Sequence, residues 1–341
     1  SLTRMGGFDM SKPASGLIGL LKQLRGNKEK SQTGGAAQMR MLRRLPKILR
    51  FIPGSAQDVR AYFLTLQYWL GGSEENLFYM VKNLVNRYAS GEREVLRTKD
   101  KLVEPVIYPD NGIYHPRIKG RMSESLSDLP KLVSDSKSKG RVGLLLLRSY
   151  ILAGNTLHYD SVIAAIEAQG LQVLPIFAVG LDARPAIEQF FFHNGKVMVD
   201  AVVSLTGFSL VGGPAYNDAK AAEEVLTTLD VPYLAVQPLE FQTLNEWGRS
   251  DRGLLPVENT LMIAIPELDG AIVPMVFGGR AGQADVQCTG CHKACVFEAS
   301  INRHDMHTCV ERTAMLAARV SKLIALRKSE RANRKVALVM F

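Results

Sequence analysis

All four cysteines of the chain fall in one short stretch, Cys288, Cys291, Cys295 and Cys309, spaced C-x2-C-x3-C-x13-C with His292, His304 and His307 interleaved. Four thiolates drawn from one loop suit a soft metal centre, either a [4Fe–4S] cluster or tetrahedral zinc. The third cysteine follows so closely that the run resembles cluster ligation more than the paired C-x2-C knuckles of zinc sites. Zinc and free thiols remain the alternatives. Disulfides fit a cytosolic chain poorly.

A second set of candidates lies just upstream. Pro232–Pro238 is an apolar run short enough for a buried strand, and a polar loop with Glu240, Gln242, Thr243, Glu246 and Trp247 follows it. A second apolar run, Leu261–Ile265, ends in Pro266-Glu267-Leu268-Asp269-Gly270. Carboxylates at the end of an apolar strand stand where ligands sit in α/β folds, beyond the carboxyl ends of the strands. The plainer alternative makes Asp269-Gly270 a hairpin turn between Leu261–Ile265 and Ala271–Phe277.

The elements that must position these residues change character along the chain. Residues 1–35 are polar apart from Leu17–Leu24, and GNKEKSQTGG reads as a mobile loop. Ser55 can cap a helix that turns Val59, Tyr62, Phe63, Leu66, Trp69 and Leu70 inward. Gly71-Gly72 ends it, and Ser73 starts a second helix with Leu77, Met80, Val81, Leu84, Val85 and Tyr88 on its inner face. That spacing explains the aromatic stripe as core. A Pro/Gly-rich connector containing GIYHP follows; its His115 is by itself an ordinary loop histidine.

From Arg141 strands and helices alternate: Val142–Leu147, a helix to Gln169, Leu171–Phe177, helix Ala183–Phe192, Ala201–Leu205, helix Asp218–Leu229 and Pro232–Gln237. This order predicts an α/β fold, a doubly wound, mostly parallel sheet of Rossmann or flavodoxin type, preceded by an N-terminal helical region. His158 begins the first of these helices, where capping and packing explain it as well as a ligand role does. The expected divisions are a basic helical region (1–90), a connector (91–139), an α/β domain (140–287), a cysteine-rich loop (288–311), and a helix with the first strand of a following domain (312–341). The apolar end, Val336–Phe341, reads as that strand, and with Ser1 at the start it predicts a piece of a longer protein.

Composition narrows the function. Hydrophobic residues make up 46% and charged residues 22%, ordinary values for a globular chain of 341 residues. No run of about 18 apolar residues and no secretion leader are present. The net charge of +9 resides in residues 1–50, which hold 11 Lys and Arg against 2 Asp and Glu, and the remainder balances. A surface docked on an acidic partner or on another part of the chain explains this better than nucleic acid, because no nucleic-acid motif accompanies the charge. There is no G-x-G-x-x-G after the first strand, no phosphate-binding P-loop and no G-x-S-x-G elbow. Nicotinamide chemistry, an in-chain ATPase and a serine hydrolase all lose ground.

PLEFQTLNEWGRSDRGLLPVE followed by IAIPELDGAIVPMVFGGR resembles the large, porphyrin-binding (H) subunit of magnesium chelatase, and more loosely the large subunit of cobaltochelatase. The likeness extends through SYILAGNTLHYDSVIAAIEAQGLQVLPIFAVGLDARPAIEQFF and TGFSLVGGPAYNDAKAAEEVL to GIYHP. The resemblance implies insertion of Mg2+ into protoporphyrin IX, with ATP hydrolysed by two smaller ATPase-motor subunits. It also implies a cytoplasmic location, peripheral at the photosynthetic membrane, and a following methyltransferase as a further partner. Plant and cyanobacterial members lack the cysteines, so the resemblance points to a bacteriochlorophyll-type member whose cluster is structural or senses oxygen or redox state. On this basis Glu267, Asp269, Glu240 and His115 are the candidate catalytic residues, and His158, Arg249, Arg252 and Arg280 the candidates for holding substrate. A non-catalytic scaffold or redox-sensing region, with the active site elsewhere, is the rival reading.

Overall fold

The computed structural model describes residues 45–130, 134, 137–213, 216–283, 285–297 and 305–340. The Leu17–Leu24 run, the GNKEKSQTGG loop and His304 lie outside the described residues. The described residues fall into two compact units, divided between Leu70 and Gly71.

In the first unit the predicted helix forms as α1, Ala56–Gly71, with a different face inward. Ala61, Leu64 and Tyr68 are buried, whereas Tyr62 and Trp69 are exposed. Apolar residues lie on more than one side of this helix, and the stripe at i, i+3 and i+7 is the one that finds cover.

The second unit begins with α2, Glu74–Tyr88, capped by Ser73, whose hydroxyl accepts from the Asn76 amide. Of its expected apolar face, Leu77, Met80, Leu84 and Val85 are half-buried, while Val81 and Tyr88 are exposed. What holds α2 is polar: the buried Asn76 side chain donates to the Val106 carbonyl and accepts from its amide, both at 2.9 Å.

Among the described residues eight strands form the main sheet: β1 Asn111–Tyr114, β2 Met122–Ser123, β3 Arg141–Leu147, β4 Gln172–Ala178, β5 Ala201–Ser204, β6 Tyr233–Leu239, β7 Ile272–Arg280 and β8 Met306–Thr308. Their spatial order is β8-β7-β6-β5-β3-β4-β1-β2. The five central strands are parallel, and β1, β2 and β8 are antiparallel additions at the edges. In chain order the parallel set reads second, first, third, fourth, fifth, the flavodoxin-like arrangement expected from the sequence.

Alternation along the strands explains why helices cover both faces. Val142, Leu144 and Leu146 of β3 join Val203, Val236 and Phe277 under α3, Leu157–Ala168, and α8, Val310–Lys328. Leu145, Ile176 and Val202 point the other way, beneath α4, Arg184–Phe190, and α5, Ala219–Leu229. Each such fully buried aliphatic side chain contributes roughly 1.5–3 kcal/mol.

Three expectations are corrected. Leu261–Ile265 is not a strand: residues 259–264 form a π-helical turn leading into α7, Ile265–Leu268. A four- to six-residue apolar run does not distinguish strand from buried helix, and here Pro256 at the start of a short preceding helix sets helical geometry. Ala271–Phe277 therefore has no hairpin partner; its residues enter β7, which pairs parallel with β6. Finally, Leu316, Ala317, Val320 and Ile324 bury α8 in the same core as α3, and residues 334–340 form no strand. Helix α8 thus belongs to the core of the α/β unit.

Candidate functional site

The loop after β7 carries three of the cysteines. The Cys288 amide donates to the Cys295 carbonyl at 2.8 Å, and the Asp285 amide to that of Phe297 at 3.1 Å, so residues 285–297 fold back as a short hairpin. Cys309 sits between β8 and α8, its amide bonded to the Phe277 carbonyl at 3.0 Å. Two rigid elements therefore bring Cys309 to the hairpin, and the thiols of Cys291, Cys295 and Cys309 all lie within 4.8 Å of one another.

The hairpin is fastened to α6, Leu244–Arg249. The Arg312 guanidinium stacks 4.4 Å over Trp247 and donates to the Gly290 carbonyl at 3.1 and 3.3 Å. Gly248 and Gly290 let the two backbones meet, since a Cβ on Gly248 would lie 2.5 Å from the Gly290 nitrogen. The thiols disagree electrostatically. Burial, with the neighbouring thiols, pushes Cys309 up to about 12 and raises Cys295. Cys291 is held low, hydrogen bonds from its neighbours outweighing the opposing effect of burial. Three thiolates gathered without a cation repel, and a soft cation would relieve that repulsion.

A second cluster occupies the carboxyl ends of β3, β6 and β7. Glu240, directly after β6, accepts the Tyr150 hydroxyl at 2.5 Å. Burial and that bond raise the Tyr150 phenol well above its usual range. Arg280, the last residue of β7, donates to the Phe241 carbonyl at 2.7 Å, while its Nε is buried without a partner. Behind them His158 is fully enclosed by Tyr150, Tyr159 and Phe277, with ring centroids 5.1, 3.9 and 6.2 Å away. Neither of its ring nitrogens has a partner. Burial, helped by His307, pulls His158 down to about 3, so its ring is neutral. β8 brings His307 opposite Gly279 of β7.

The sequence candidates thus separate. Glu240, Arg280 and His158 come together; Tyr150 and His307 join them. Tyr150 lies inside the SYILAGNT string, but nothing in its spacing marks it. Arg249 and Arg252 are exposed at the end of α6 and beyond, and Glu267 is exposed on α7. His115 is buried with both nitrogens engaged: Nδ1 accepts from the Arg117 amide and Nε2 faces Glu167, each at 3.2 Å. That geometry ties the β1 loop to α3 and leaves no imidazole nitrogen for a substrate. Cys288 stands apart from the thiol trio.

Asp269 is buried, and its Oδ2 accepts from the Ser209 hydroxyl at 2.6 Å and the Leu210 amide at 2.8 Å. It fastens the loop after β5 to the turn before β7. Burial raises its carboxyl, so the folded chain holds this proton more tightly than the unfolded one. Stability from this group therefore falls as pH rises from the unfolded value through the folded one. Asp269→Asn, which keeps an acceptor without the charge, is expected to fold and to lose that slope. Asp269→Ala should cost about 2–4 kcal/mol by leaving two donors unpaired. Thermal unfolding at pH 4 and 7 separates the two.

Known proteins agree with this architecture. The CobN/magnesium chelatase family model matches residues 66–341, and a model for a domain of unknown function matches residues 1–63. The chain is 51% identical to the H subunit of magnesium chelatase from Cereibacter sphaeroides over 341 residues, all of this chain and 28% of that protein. It is 36% identical to the chloroplastic magnesium-chelatase subunit ChlH of Oryza sativa over its whole length and 24% of the relative. With aerobic cobaltochelatase subunit CobN of Pseudomonas aeruginosa the identity is 30%, over 54% of this chain and 14% of the relative. Among solved structures, the catalytic subunit of cobaltochelatase from Mycobacterium tuberculosis superposes with a TM-score of 0.51 and 22% identity, covering 80% of this chain and 20% of that one, which speaks for the fold alone. The chain spans about a quarter of the magnesium-chelatase relatives it matches. It belongs to the CobN/magnesium chelatase family.

Proposed function

We propose that this chain is part of the porphyrin-binding, catalytic subunit of a magnesium chelatase, which inserts Mg2+ into protoporphyrin IX on the way to bacteriochlorophyll. The observation that carries this is the match to the H subunit of magnesium chelatase at 51% identity across the whole chain. ATP is hydrolysed by two partner motor subunits, and the pathway's methyltransferase takes the product. No described helix is long and apolar enough to cross a membrane, in keeping with a cytoplasmic protein peripheral at the photosynthetic membrane.

Insertion exchanges two pyrrole N–H protons for one Mg2+, an ion that prefers oxygen ligands and sheds water reluctantly. Glu240 is the best placed of the candidate carboxylates, because it is half-buried at the strand ends and oriented by Tyr150. It escorts the ion or accepts a proton, and Arg280 beside it meets a propionate. His158 lines the wall behind them. Replacing Glu240 by glutamine in the full-length subunit, assayed with its motor partners, is expected to slow insertion by about 10²-fold. Glu267→Gln should leave the rate unchanged; the reverse pattern would move the site to α7.

The thiol trio belongs to a second reading, a metal centre with a structural or redox-sensing role. The C-x2-C-x3-C spacing suggests a [4Fe–4S] cluster over zinc only if Cys288 is a ligand, and Cys288 stands apart from the trio. The trio has the spacing of thiolates around one tetrahedral ion: the three thiols lie within 4.8 Å of one another and Cys291 and Cys295 are 3.6 Å apart. A cluster, which binds each thiolate on a separate iron, requires them to spread. When bound, the metal supplies a fixed crosslink between the hairpin and α8, or an oxidisable centre.

A further inference from the structure

We propose that the metal of the cysteine loop is held by three protein thiolates, Cys291, Cys295 and Cys309, and that its fourth ligand is a small monodentate donor from solution. Cys288 lies outside the ligand set. This rests on reading the loop as a metal site.

A tetrahedral zinc ion takes four donors, and a [4Fe–4S] cube takes one terminal donor on each iron. Among the described residues, three thiols meet within 4.8 Å and no further His, Cys, Asp or Glu joins them. Exposed His292, although next to Cys291, is not in the group. Cys288 is engaged elsewhere. It is 2% exposed, in a cluster with Leu239, Leu244, Val276, Ala281 and Phe297. Its thiol points at the Leu244 carbonyl, 3.6 Å away, and accepts from the Gly290 amide at 3.4 Å. The Arg312–Trp247 stack and the Gly248–Gly290 contact clamp this part of the hairpin onto α6, so swinging Cys288 toward the trio would break the packing that forms the site. Cys291 and Cys295 are half-exposed while Cys309 is buried, so a solution ligand reaches the trio past these two thiols. The donor is an oxygen, as water or hydroxide, or an added thiolate. Exchange replaces one donor by another and moves no electrons.

The test uses full-length protein purified without air, as wild type, Cys288→Ser, Cys288→Ala, Cys291→Ser, Cys295→Ser, Cys309→Ser and His304→Ala. Iron, acid-labile sulfide and zinc are assayed per chain, and folding is checked by circular dichroism. Both Cys288 variants and His304→Ala should keep metal within about twofold of wild type, and the other three should lose it by at least about tenfold. Adding 2-mercaptoethanol should alter the thiolate-to-metal absorption of wild type and Cys288→Ser alike. Folded Cys288 variants that lose metal as the trio does would overturn the proposal. So would loss in His304→Ala, or a spectrum indifferent to added thiol. Wild-type protein with neither iron nor zinc would instead refute the metal reading itself, with every variant equal to wild type.

Discussion

At pH 4.5 the wild-type chain is expected to lose about 3 kcal/mol of stability that a His158→Phe variant keeps. The sign follows from burial. His158 is depressed to about 3 from an ordinary value of 6.5, so the unfolded chain takes up a proton near pH 6.5 and the folded chain does not. Its contribution is complete above pH 6.5 and is lost as pH falls toward about 3. Phenylalanine suits the same aromatic enclosure of Tyr150, Tyr159 and Phe277 and removes two buried nitrogens that have no partner. Urea unfolding of both proteins at pH 7 and 4.5 gives the difference directly. Equal acid sensitivity would mean that the imidazole titrates in the folded state and finds a partner there.

Glu258→Ala should cost about 3–5 kcal/mol and loosen the whole 240–258 loop. The carboxylate is fully buried. It accepts from the Gln242 amide at 3.1 Å, the Gln242 side chain at 2.5 Å and the Leu255 amide at 3.0 Å. Removing it strands three donors at once, and Glu240 and Arg280 would lose the loop that places them. Denaturant midpoints measure the cost, and faster proteolysis within residues 240–258 would show that the damage is local. A loss under 1 kcal/mol, with an intact loop, would show that water replaces the carboxylate.

Much of this architecture was legible in residue patterns. The four runs Val142–Leu147, Leu171–Phe177, Ala201–Leu205 and Pro232–Gln237 become β3 to β6 within two residues at either end, because continuous apolar runs between Gly-punctuated helices leave few alternatives. The π-turn at residues 259–264 was not legible, since a short apolar run carries no period long enough to decide. Nor was the inner face of α1, where Tyr62 and Tyr68 offer rival stripes and only tertiary cover chooses. Among site residues, the cysteine spacing foretold a gathering of thiols but not that Cys288 turns toward Leu244. Glu240 was legible as a carboxylate beyond a strand. Its partner Tyr150 lies 90 positions away, and sequence periodicity does not reach across a crossover. Asp269 and His115 look like catalytic groups because of their types and neighbours, yet their hydrogen bonds are those of structural ties.

The central claim is that the carboxyl-end cluster handles the porphyrin, and a protoporphyrin titration of the full-length protein, followed by absorption, tests it most directly. Wild type is expected to shift and sharpen the porphyrin band. Arg280→Ala should weaken binding by about tenfold, while Glu240→Gln should bind normally and fail at insertion. An unchanged titration in Arg280→Ala, together with undiminished insertion by Glu240→Gln, would contradict the account and place the porphyrin elsewhere in the full-length protein.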